Sequence, residues 1–130
     1  MWNTKITLSL TIEDKDVEAV LKNAEDACRC WCDKIALDPE KLFYNETIAA
    51  RIINGGPVSF HNKKNGRSYA LTKGRLIRGF TNYIKKPMYG MILSMKNDPV
   101  SINADLITEK IADAIIQNAL FGQVLYGKEG

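Results

Sequence analysis

The chain has 130 residues, 45% of them hydrophobic and 25% charged, with 18 basic and 15 acidic residues for a net charge of +3. That length suits one domain, 1–130, with a real core, and the composition excludes a low-complexity chain. No apolar run approaches the roughly 18 residues that span a bilayer, and "MWNTKITLSL" lacks a signal-peptide layout, so a cytoplasmic protein without a membrane partner is expected.

"KITLSLTI" alternates, with Ile6, Leu8, Leu10 and Ile12 on one face, and predicts a strand with one buried side. Asp14 is the expected cap of a first helix, with Asp16 near its positive end. Val17, Val20, Leu21, Ala24, Ala27, Cys28, Trp31 and Ile35 carry the helical spacing to about Leu37, where Asp38-Pro39 stops it. A second helix is predicted from Pro39 to about Asn54, ended by "NGG". "PVSFHN" and "RSYAL" flank "KKNG" and predict a hairpin in the middle of a small sheet. Thr72 caps a third helix, "KGRLIRGFTNYIKK", with Leu76, Ile77, Phe80 and Ile84 inward, ended by Pro87. "MYGMILSMKNDPVSI" is open between strand, lid and packed loop. Asn103 or Asp105 starts a fourth helix, with Ile107, Ile111, Ala114, Ile115 and Leu120 inward and Gly122 as its close; "QVLY" reads as a last strand. The order β-α-α-β-β-α-α-β predicts an α+β fold: a small antiparallel sheet of about four strands, with helices mainly on one face.

"CRCWC" (Cys28 to Cys32) holds every cysteine of the chain. An odd number excludes a closed disulfide framework and suits a reducing compartment. Structural zinc wants four ligands, usually as CxxC pairs or Cys/His sets. The one histidine, His61, is far off in sequence. On a helix Cys28 and Cys32 share a face while Cys30 points away, so no metal site is expected. Cys28 and Trp31 read as core, Arg29 and Cys30 as an outer face or subunit contact.

Between Glu46 and Asp98 there is no acidic residue and ten basic ones: Arg51, Lys63, Lys64, Arg67, Lys73, Arg75, Arg78, Lys85, Lys86 and Lys96. The flanks carry the other 8 basic and all 15 acidic residues. An anionic partner is one reading; neutralisation of the basic centre by the acidic flanks, or by a neighbouring subunit, is the other. Lys73, Arg75 and Arg78 form a basic face at the start of the third helix, where free N–H groups favour an anion. The same face could simply be solvated. Tyr83 and Tyr89 are the exposed rings best placed to stack on a base, with Arg51 or Arg67 closing a pocket. Asp105, Glu109 and Asp113 recur every four residues, as an acid–base set or a plain polar helix face. With one histidine and no nucleophile–base pair, no enzyme is expected and no cofactor.

"WCDK", "INGG", "YALT", "NAD" and above all "IIQNALFGQVLYG" (Ile115 to Gly127) resemble a set of small phage and prophage proteins ending in ALFG-x-V-x-YG. In size and plan the chain also resembles the first type of Thoeris anti-defence protein. That resemblance implies a sponge that sequesters cyclic ADP-ribose isomers without cleaving them, assembled as dimers or hexamers with pockets shared between subunits. The functional expectation is therefore a cytoplasmic phage protein, in the infected host, that binds a nucleotide immune signal through Lys73, Arg75, Arg78, Tyr83, Tyr89, Arg51 and Arg67. The alternative is an anti-CRISPR-like or nucleic-acid-binding accessory protein acting through the basic centre.

Overall fold

A computed structural model describes residues 9–37, 47–94 and 100–127. Chain order is α1 (Asp14–Leu21), α2 (Ala24–Ala27), β1 (Cys32–Leu37), α3 (Ile48–Ile53), β2 (Val58–Asn62), β3 (Arg67–Leu71), α4 (Lys73–Lys85), β4 (Leu93–Ser94), β5 (Ser101–Ile102), a 3₁₀ turn (Ala104–Leu106) and α5 (Glu109–Phe121). Strands β1, β2 and β3 form an antiparallel sheet in that order, and β4 pairs with β5 in a separate antiparallel ribbon. The architecture is α+β, as expected.

The sheet is built around the predicted hairpin. Val58, Phe60 and Asn62 of β2 are buried, and β3 returns with Phe60 opposite Tyr69. Helix α5 packs on the inner face and against α1, α2 and α4. Trp31 is fully buried there, stacked 6.2 Å from Phe60 and 6.3 Å from Tyr126, with Phe121 edge-on at 5.2 Å. Thr72 accepts from Arg75 N and Thr108 from Ile111 N, so each long helix begins on a threonine cap. Gly122 closes α5 at φ 78°, a left-handed position that costs glycine little.

Several sequence-based expectations are corrected. The first helix does not reach Leu37: α1 ends at Leu21, α2 is one turn, and Cys32–Leu37 is a strand paired with β2. Long-range backbone pairing overrides a weak local helical pattern. Glu13, not Asp14, caps α1, and its N–H donates to Asp16 Oδ2 at 2.8 Å. The predicted first strand lies largely outside the described residues; within them Leu10 and Ile12 pack on the core and Thr11 makes one parallel bridge to Ser101. The second helix is described only as α3, residues 38–46 lying outside the description. On α4 the inward set is Leu76, Gly79, Phe80 and Tyr83, while Ile77 is 46% exposed. Asn103 caps the 3₁₀ turn, not the last helix. "QVLY" is not a strand, because the buried Gln117 side chain accepts from the N–H groups of Leu125 and Tyr126 in place of a neighbouring chain.

Candidate functional site

The seven predicted site residues do not converge on one of the cavities described below. Lys73, Arg75 and Arg78 are exposed on α4, but both arginines lean on backbone. Arg75 Nη1 donates to Ala70 O of β3, and Arg78 Nη2 to Ala119 O of α5 at 2.6 Å. Arg51 is buried within α3, and Arg67 is exposed at the start of β3. Tyr83 is fully buried, its hydroxyl donating to Gly90 O at 2.7 Å and accepting from Tyr89 N. It presents no open ring to a base, which corrects its expected stacking role. Tyr89 is half-buried, donates to Gly127 O and carries the Lys110 ammonium 4.9 Å over its ring. Of three surface cavities, of about 570, 220 and 80 Å³, only the smallest is lined by one of the seven, Lys73.

The largest of these three is a groove of about 570 Å³ where the C-terminal ends of α4 and α5 meet. Its lining among the described residues is Asn82, Lys85, Lys86, Met88, Asn118, Gly122, Gln123 and Val124, with no carboxylate in that set. Two ammonium groups and three carboxamides offer hydrogen bonds to an anion and to polar ligand edges. Sequence reading placed Lys85 and Lys86 in the basic segment but in no site. The signal was the pair "KK" in a helix's last turn, and two of the carboxamides facing it come from roughly 30 to 40 residues later in the chain.

More broadly, Lys63, Lys64, Arg67, Lys73, Arg75, Arg78, Lys85 and Lys86 are all exposed. Among the described residues none of these eight forms an ion pair with a carboxylate.

A second polar cluster lies on the sheet. His61 Nδ1 and Asp33 Oδ1 are 2.6 Å apart, with side chains 36% and 49% exposed. This hydrogen bond holds the Asp33 carboxyl below the usual carboxylate range. The register of β1 against β2 is irregular between Cys32 and Lys34, so Asp33 bulges beside Lys34 opposite His61. Sequence reading missed the pair, because nothing local to "CDK" or "FHN" announces that they will be neighbours.

The remaining candidates are structural. Cys28 and Cys32 are buried and Cys30 is exposed. Burial pushes all three thiols above their ordinary value, the reverse of what a nucleophilic cysteine needs. Asp113 is not part of a solvated carboxylate row. It accepts from Trp31 Nε1 at 2.7 Å and from Gln117 Nε2 at 2.9 Å, and burial raises its pKa. Among the described residues there is no group of three or more His, Cys, Asp or Glu that could hold a metal ion. No helix described is long and apolar enough to cross a membrane.

Comparison with known proteins finds similarity to ribonucleases. The chain is 30% identical over 118 residues to the ribonuclease Z of Listeria welshimeri serovar 6b, covering 90% of this chain and 38% of that protein. It is 36% identical over 84 residues to the ribonuclease Z of Listeria monocytogenes serovar 1/2a and 33% over 84 residues to that of Listeria innocua serovar 6a. Each of those matches covers 65% of this chain and 27% of the relative. The chain therefore spans between about a quarter and two fifths of the length of the curated relatives it matches. No family model matches the chain. No solved structure matches it. The similarity to proteins named as ribonucleases overturns two expectations: a sponge or accessory protein that leaves its ligand intact, and the absence of an enzyme.

Proposed function

We propose that this chain acts on RNA in the manner of a ribonuclease, holding the phosphodiester backbone along its exposed cations, with the groove between the ends of α4 and α5 as the main seat. The observation that carries this reading is the groove itself: Lys85 and Lys86 line a cavity of about 570 Å³ with no carboxylate among the described residues of its lining. Phosphate contacts supply most of the sequence-independent affinity for nucleic acid, and lysine serves as a point charge there. Asn82, Asn118 and Gln123 can meet ribose hydroxyls or base edges, which a site for inorganic phosphate alone would not need. The similarity to ribonuclease Z supports RNA as the polyanion.

Fluorescence anisotropy with a labelled single-stranded RNA tests the reading. Binding is expected to weaken linearly in log–log form as salt rises. The double variant Lys85→Ala/Lys86→Ala is expected to flatten that slope by about 1.4, at roughly 0.7 for each phosphate no longer neutralised. Unchanged affinity and slope in the double variant would reject the groove as the seat.

A further inference from the structure

We propose that His61, oriented by Asp33, is the general base of an RNA-cleaving centre on the open face of the three-stranded sheet, a proposal that rests on the RNA reading above. His61 is the sole histidine of the chain. In regular pairing successive side chains alternate between faces, so Asp33 and Lys34 could not both meet His61. The irregular register between Cys32 and Lys34 places both opposite it, and bulges of this kind re-aim a side chain. The result is the 2.6 Å contact between Asp33 Oδ1 and His61 Nδ1. The carboxylate can only accept, so Nδ1 carries the hydrogen, and in the neutral imidazole Nε2 keeps a lone pair for chemistry. Among the described residues no hydrogen bond occupies Nε2.

Stability does not account for this arrangement. An exposed contact between polar side chains contributes little, and a bulge interrupts the ladder that pairs β1 with β2. The surroundings suit a polyanion instead. Lys34 pairs with His61 on β1, Ser68 pairs with it on β3, and Lys63 follows it closely on the turn, close enough to act on the Asp33 carboxyl. Ser59, the other outward residue of β2, pairs with Ala36 and Ala70, so the face beside the imidazole is low and uncluttered.

The step balances with water alone. Nε2 takes the proton of a ribose 2′-hydroxyl, and the 2′-oxygen attacks the adjacent phosphorus. The bond from phosphorus to the 5′-oxygen breaks, and that oxygen takes a proton from water. The hydroxide so formed removes the proton from the imidazolium and returns His61 to its neutral form. The products are a 2′,3′-cyclic phosphate and a 5′-hydroxyl end. Lys34, paired with His61, and Lys63, two residues beyond it, supply the cations of this face to offset phosphate charge. His61 is the catalytic residue, and Asp33 positions it.

The experiment uses the whole chain with a uridine oligoribonucleotide in EDTA, products being read by mass spectrometry. Wild type is expected to give 2′,3′-cyclic phosphate ends, and none from the matching oligodeoxyribonucleotide. His61→Gln should lower the rate by roughly 10²–10⁴-fold while anisotropy shows RNA binding unchanged. Asp33→Asn should lower kcat about tenfold with KM unmoved, and Asp33→Glu should recover part of that activity. Binding without His61-dependent cyclic phosphate overturns this inference and leaves the RNA-binding reading standing; absence of RNA binding overturns both.

Discussion

Gln117 is fully buried on α5, and its carboxamide is saturated. Oε1 accepts from the N–H groups of Leu125 and Tyr126, and Nε2 donates to Asp113 Oδ2 and Tyr126 O. Gln117→Leu keeps the bulk and orphans those partners, so a destabilisation of about 1–3 kcal/mol is expected in urea denaturation. Asp113 offers a prediction in pH. Burial holds its folded pKa above the unfolded value of 3.8, so the folded chain binds that proton more tightly. The stability this contributes is complete below 3.8 and is lost as pH rises through the folded value. Asp113→Asn still offers an acceptor to Trp31 and does not titrate. Its stability relative to wild type should therefore improve from pH 3.8 towards neutrality, as measured by parallel denaturation curves; a pH-independent difference would contradict it. These residues also explain what "IIQNALFGQVLYG" encodes. Gln117, Phe121, Gly122 and Tyr126 close the core, so the motif is structural and silent on chemistry.

At the scale of elements, the contact between α4 and α5 turns on Gly79. A Cβ there would come within 2.8 Å of Ala119 Cβ and closer still to the Ile115 carbonyl. Gly79→Ala is expected to destabilise by about 1–3 kcal/mol by forcing the helices apart, read as a lowered denaturation midpoint at unchanged m-value. The same contact explains the misread face of α4. At 100° per residue Leu76 and Phe80 belong equally to a stripe with Ile77 and Ile84 or to one with Tyr83. The side on which α5 arrives chose the second, leaving Ile77 exposed and burying Tyr83. The hairpin, the Thr72 cap and the Gly122 stop were legible because each rests on a local rule of turn or cap chemistry; the Thr108 cap was not, since the sequence pointed to Asn103 or Asp105 instead. The break after Leu21 was not, since no proline or glycine marks it and β1 forms only because β2 lies beside it.

At the scale of the molecule, the acid-free middle is an exposed set of cations. Eight of its basic residues reach solvent without an ion pair among the described residues. Such a surface attracts polyanions over about one Debye length, so RNA association should slow and weaken steeply between low and physiological salt. A stopped-flow association rate insensitive to salt would argue against electrostatic capture. The groove belongs to this scale as well. Lys85 and Lys86 come from the end of one helix and Asn118 from another, with Gln123 just beyond it, so only their meeting makes a cavity.

Local chemistry, by itself, determined the α+β class, the hairpin, the Thr72 cap of α4, the inward Cys28 and Trp31, and the charge asymmetry, because each depends on residues close in sequence or on composition. The tertiary structure alone decided that Cys32–Leu37 is a strand, that Tyr83 is core, that Lys85 and Lys86 face carboxamides across a groove, and that Asp33 meets His61. Each of these is a contact between segments far apart in the chain. Such contacts depend on which faces find one another once the core closes, which no window of sequence contains.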